Sequence, residues 1–189
     1  MNKVAIFASG NGSNAQCIAK HFENHPEIRI SLILSNKPDA FVLQRAKNLK
    51  IPSFTFNRDD FYQRSLVLDE LRRHEIDLIV LAGFLWLVPD NILHGYPQRI
   101  LNIHPALLPK YGGKGMYGDR VHQAVIENKD KETGITIHWV NDKYDEGQII
   151  FQEEVKVAPG DTAEAIAQKV HALEYKNYPA VIEKVLNKI

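Results

Sequence analysis

Five short strand-like runs, each followed by a stretch of helical period, leave few folds open to the first half of this chain. Val4–Ala8, Ile30–Leu34, Ser53–Phe56, Leu78–Ala82 and Ile100–Ile103 read as buried parallel strands. Between them, segments near 14–24, 40–49, 60–74 and 89–95 read as helices. Strand and helix in alternation imply right-handed crossovers and a doubly wound, mostly parallel α/β sheet, Rossmann-like over this N-terminal half. The second half departs from the pattern. After a helix over Asp119–Asn128, the β-rich stretches Thr133–Val140 and Gln148–Val157 flank a polar turn at 141–147 and predict a hairpin. A long helix follows from Thr162 to about Lys188, capped by Asp161 or Thr162, with Ile166, Val170 and Leu173 on one face. Pro179 inside it predicts a kink or a split.

The chain shows no repeat and no Pro/Gly/Ser linker, so its 189 residues are expected to form a single domain. Lys plus Arg and Asp plus Glu both number 23, and this balance argues against bulk nucleic-acid or anionic-membrane binding. The longest apolar run, Leu78–Val88, is 11 residues, short of the roughly 20 that span a bilayer. Only Val4–Ala8 is available as a signal core, which is too short, so a cytoplasmic location is expected. One cysteine, Cys17, excludes an internal disulfide or a Cys-rich zinc site, and the eight histidines show no paired metal-ligand spacing.

Two motifs carry chemistry. Ser9-Gly-Asn-Gly-Ser-Asn14 follows a strand and opens a helix, where free backbone N–H groups favour an anion. With Ala15 it also fits the dinucleotide spacing G-x-G-x-x-A. The second strand, however, ends in Ser35-Asn36-Lys37 without the acidic residue that would hold a ribose, so a monophosphate suits the loop better than a nicotinamide cofactor. In Leu101-Asn-Ile-His-Pro105, period two places Asn102 and His104 on one side of a strand that Pro105 ends. The Gly12 loop, Gly83-Phe84 and this pair all follow strand ends and converge on the edge where open α/β sheets bind ligands. An amide donor beside an imidazole suits stabilising an oxyanion and moving a proton. Asp119, Asp142, Asp145 and Glu146 could each partner His104, and spacing does not choose among them.

These stretches, together with Ser35-Asn-Lys-Pro-Asp-Ala-Phe41, Leu81-Ala-Gly-Phe84 and Gly134-Ile-Thr-Ile-His138 through Asp145, closely resemble the phosphoribosylglycinamide formyltransferases, folate-dependent enzymes of purine synthesis. The resemblance runs from about residue 3 to Pro179. It implies a formyltransferase domain over 1–189, with a phosphate-binding half of about 1–100 and a catalytic and folate half of about 101–189. It further implies 10-formyltetrahydrofolate as co-substrate, 5-phosphoribosylglycinamide as acceptor, and no metal. By the same resemblance Asn102, His104 and Asp145 form the catalytic trio, which singles out Asp145 among the loop acids. Gly12, Ser13 and Asn14 match the substrate-phosphate loop, and Glu174 a carboxylate on the substrate ribose. Arg64 and Leu85-Trp86-Leu87-Val88 match positions lining the folate pocket. The chain departs from the family at Tyr111–Asp119, a longer and more Gly-rich segment that includes Lys114, and at Leu85-Trp86, where a Met-led pair is common. A monomer or a homodimer, with small molecules as partners, is expected.

Overall fold

A computed structural model describes residues 1–188 and contains a seven-stranded sheet. The strands are β1 (Asn2–Phe7), β2 (Ile28–Ser35), β3 (Ser53–Thr55), β4 (Leu78–Leu81), β5 (Ile100–His104), β6 (Glu132–Trp139) and β7 (Ile149–Lys156). They lie in the order β3-β2-β1-β4-β5-β6-β7. The first five pair in parallel, and the last two add as an antiparallel hairpin on β5. The expected doubly wound sheet with a C-terminal hairpin is what the chain forms. Its topological switch falls between β1 and β4, so the loops that follow these two strands open a crevice at the carboxyl edge.

The helices are α1 (Ser13–His21), α2 (Phe41–Asn48), α3 (Arg58–Tyr62), α4 (Leu66–Arg73), α5 (Asp90–Gly95), α6 (Asp119–Glu127) and α7 (Ala163–Leu186). Alternate residues of β1 supply the two faces of the sheet. Val4 and Ile6 enter a core with Ile18, Val42, Val170 and Ile182, while Ala5 and Phe7 enter a second core with Phe56, Phe61, Leu71 and Ile92. Burial on both faces is why the parallel strands read as continuous apolar runs.

Three local expectations are corrected. The helix anticipated over 60–74 is two helices broken at Gln63–Ser65. Asn57 starts the first with a capping box, its side chain accepting from the Asp60 N–H while Asp60 accepts from the Asn57 N–H. The helix from residue 14 ends at His21 rather than near 24. Of the kink or split expected at Pro179, the split does not occur: α7 runs for 24 residues from a Thr162 cap. Proline removes the N–H that would reach the Tyr175 carbonyl, and the Cys17 thiol on α1 donates to that carbonyl instead, at 3.5 Å. Cys17 therefore faces α7. Tyr178, fully buried one residue before the proline, donates its hydroxyl to the carbonyls of Leu81 (3.0 Å) and Leu101 (3.3 Å), tying α7 to β4 and β5. Among the described residues no helix is long and apolar enough to cross a membrane.

Candidate active site

At the carboxyl edge of β1, β4 and β5 a cavity of about 640 Å³ opens between the sheet, the 111–118 loop and the β6–β7 turn. Its walls hold Gly12, Ser13, Asn14, Leu85, Trp86, Leu87, Val88, Asn102, His104, Asp145 and Glu174, so every residue that the family resemblance assigns but one meets in a single volume, and of the four acids offered to His104 only Asp145 lines it. The exception is Arg64. It sits in the break between α3 and α4, two-thirds exposed, with its Nε 2.7 Å from Asp59 Oδ2, and it does not line the cavity.

One end is built by the β1–α1 loop. Gly12 precedes α1 with φ 74°, and a Cβ there would lie 2.3 Å from a methyl of Val42, so only glycine fits. No side chain caps this helix start, which leaves its N–H groups for an anion, and Lys37 lines the same end. Glu174, 4% exposed on α7, accepts from Asn14 Nδ2 (2.9 Å) and bonds His171 Nδ1 (2.9 Å), both through Oε2. The Glu174 hydrogen bond raises the His171 pKa against the opposing effect of burial. His122 on α6 is buried beside it with Nδ1 unpartnered, and burial pushes its pKa down. The other end is apolar, formed by Phe84, the Leu85–Val88 segment and Val140. Ser9 Oγ fixes this segment by accepting from the Leu85 N–H at 3.1 Å.

Asn102 and His104 lie between the two ends. His104 is 3% exposed; its Nε2 is 2.7 Å from the Tyr111 carbonyl and its Nδ1 is 3.5 Å from Asp145 Oδ2. A carbonyl can only accept, so Nε2 carries hydrogen and Nδ1 is the basic nitrogen. Burial pushes the His104 pKa down, and Asp145 and the Tyr111 carbonyl partly restore it. For Asp145, burial acts upward, but His138, His104 and the Gly113 N–H, which donates to Oδ2 at 3.0 Å, together hold the carboxyl below its ordinary value. Asp145 occupies a left-handed backbone conformation (φ 57°) in the turn. Gly147 closes that turn, where a Cβ would lie 1.6 Å from the Trp139 carbonyl.

The amide donor expected at Asn102 is already engaged. Its Nδ2 is 3.1 Å from His138 Nε2 and donates to Asp145 Oδ1 at 3.3 Å. His138 went unassigned in the sequence because its role depends on register: it stands opposite Asn102 across β5 and β6. The β6–β7 register shifts between Ile137 and His138, a bulge beside the site. His122 and His171 were missed for a similar reason, since only the packing of α6 on α7 brings them to the cavity. The loop flagged as Gly-rich contributes Gly113 through Gly118, Lys114 included, to the cavity wall.

The chain is similar to known proteins in both sequence and fold. The family described as Formyl transferase matches residues 2–182. A phosphoribosylglycinamide formyltransferase of Bacillus subtilis (strain 168) is 39% identical over 191 residues, covering 98% of this chain and 95% of its own length. The crystal structure of phosphoribosylglycinamide formyltransferase from Anaplasma phagocytophilum superposes with a TM-score of 0.90 at 32% identity, over 99% of this chain and 87% of that one. That from Streptococcus pneumoniae TIGR4 gives 0.86 at 35% identity, over 98% and 99%.

Proposed function

Because the chain belongs to the formyl transferase family, as an enzyme of its phosphoribosylglycinamide formyltransferase group, we propose that it moves the formyl group of 10-formyltetrahydrofolate onto the amine of 5-phosphoribosylglycinamide. The observation that carries this reading is the joining of three chemistries in one cavity: an anion-ready helix start, an apolar arm and a His–Asp pair. The phosphate lies on Gly12, Ser13 and Asn14, and the ribose hydroxyls meet the free oxygen of Glu174. The apolar arm at Leu85–Val88 suits the flat ring system of a reduced folate, which supplies an activated formyl group. Asn102 and His104 flank that group, while Arg64 pairs with Asp59 outside the cavity.

The amine lone pair forms the new C–N bond as the carbonyl π electrons move to oxygen, giving a tetrahedral adduct. His104 enters neutral, since burial depresses its pKa, and its Nδ1 accepts the proton that the nitrogen sheds. The imidazolium then stabilises the oxyanion, and Asp145, ionised at neutral pH, stabilises the imidazolium. When the oxyanion collapses, the bond to the folate nitrogen breaks and the proton passes to that nitrogen.

The experiment is absorbance-followed loss of formyl from 10-formyltetrahydrofolate with and without 5-phosphoribosylglycinamide. Turnover only with the amine is expected. Equal turnover without it would make the protein a hydrolase and overturn the role given to the Gly12 loop.

A further inference from the structure

The hydrogen positions on His138 decide which end of the Asn102 amide faces the substrate. His138 is 2% exposed, and its Nδ1 lies 2.8 Å from the Trp139 carbonyl, an acceptor, so Nδ1 carries the hydrogen. With that hydrogen placed, Nε2 faces Asn102 Nδ2 at 3.1 Å and Asp145 Oδ1 at 3.6 Å, and the amide N–H closes the shorter contact by donating to the ring lone pair. The second N–H of the same amide points at Asp145 Oδ1. Two groups that can only accept, an imidazole lone pair and a carboxylate, thus hold the NH₂ end. The oxygen end accepts from none of the described residues, and Asn102 lines the cavity.

We propose that His138 is a positioning residue that fixes Asn102 with its amide oxygen toward the reacting carbon, where that oxygen accepts a hydrogen bond from the attacking amine. This rests on the formyl-transfer reading above. An amine N–H held by Asn102 Oδ1 aims the nitrogen lone pair away from Asn102 and toward the formyl carbon. As the C–N bond forms, the nitrogen gains positive charge and its N–H becomes a stronger donor. The contact is therefore tighter in the transition state than in the ground state, which is the condition for raising turnover rather than binding alone. The oxyanion is left to His104. Asn102 and His138 act as one unit, because His138 touches the reaction only through Asn102.

A kinetic double-mutant cycle and a spectrum test this. Steady-state rates on 10-formyltetrahydrofolate and 5-phosphoribosylglycinamide would be compared for Asn102→Ala, His138→Leu and the double variant. His138→Leu is expected to lower kcat by about 10- to 100-fold with KM for both substrates within about threefold. His138→Gln, which can still offer an acceptor, should recover part of the loss. The double variant should be no slower than Asn102→Ala alone, and multiplied effects would overturn the proposal. Nitrogen-15 spectra of the unmodified protein read the ring directly without turnover. Nδ1 protonated with Nε2 bare is expected, and a hydrogen on Nε2, whether in the opposite tautomer or in the doubly protonated ring, would overturn the proposal whether or not the leucine variant folds. If the unmodified enzyme transferred no formyl to the amine while the spectrum held, the formyl-transfer reading would fail and the His138–Asn102 geometry would stand.

Discussion

His104 has two nitrogens with different fates. Nε2 is held by the Tyr111 carbonyl, and Nδ1 lies 3.5 Å from Asp145, too far for a strong direct bond and near enough for its charge to be felt. Because burial lowers the His104 pKa and Asp145 raises it, Asp145→Asn should lower it further. The acid limb of kcat/KM against pH, which reports loss of the neutral base, is then expected to move to lower pH while turnover falls by about 100-fold or more. A limb that stayed in place or moved upward would refute the charge assignment. Folding carries the same sign. A histidine whose folded pKa is depressed contributes stability above its unfolded pKa, about 6.5, and that stability is lost as pH falls through the folded value. The Asn102/His104 pair was legible in the sequence because period two and Pro105 set it at a strand end. The choice of Asp145 came from family resemblance, since four acids competed and only the fold brings one of them to the imidazole.

Among the elements, the parallel strands and their helices were legible because burial on both sheet faces writes uninterrupted apolar runs. Continuity was harder to read. Gln63–Ser65 break a helix that periodicity alone extends, and the capping box at Asn57 was the available signal. At Pro179 the outcome depended on a neighbouring helix, since the carbonyl of Tyr175 takes its hydrogen bond from Cys17. This predicts energetic coupling between two residues far apart in sequence. Cys17→Ala should cost more in the native background than in Pro179→Ala, where a restored N–H can reach Tyr175. The expected coupling in denaturant unfolding is about 0.5–1 kcal/mol, and none at all would show that the thiol does not take the place of the missing N–H.

For the molecule as a whole, the sheet edge becomes a site only when α7 is pinned across it. Tyr178 links that helix to both β4 and β5 through one hydroxyl, and its complete burial pushes its pKa well up. Tyr178→Phe should destabilise the fold by about 1–2 kcal/mol in urea unfolding with the denaturant slope unchanged. A stability within about 0.3 kcal/mol of the parent would mean that this link carries no load. The antiparallel seam between β5 and β6 matters on another timescale, that of synthesis. Asn102 and His104 leave the ribosome well before His138 and Asp145, and Glu174 follows later still. A nascent or truncated chain that has formed the parallel strands thus holds the imidazole without the carboxylate that supports its charge. On the proposed mechanism, formyl transfer therefore waits for the hairpin to dock.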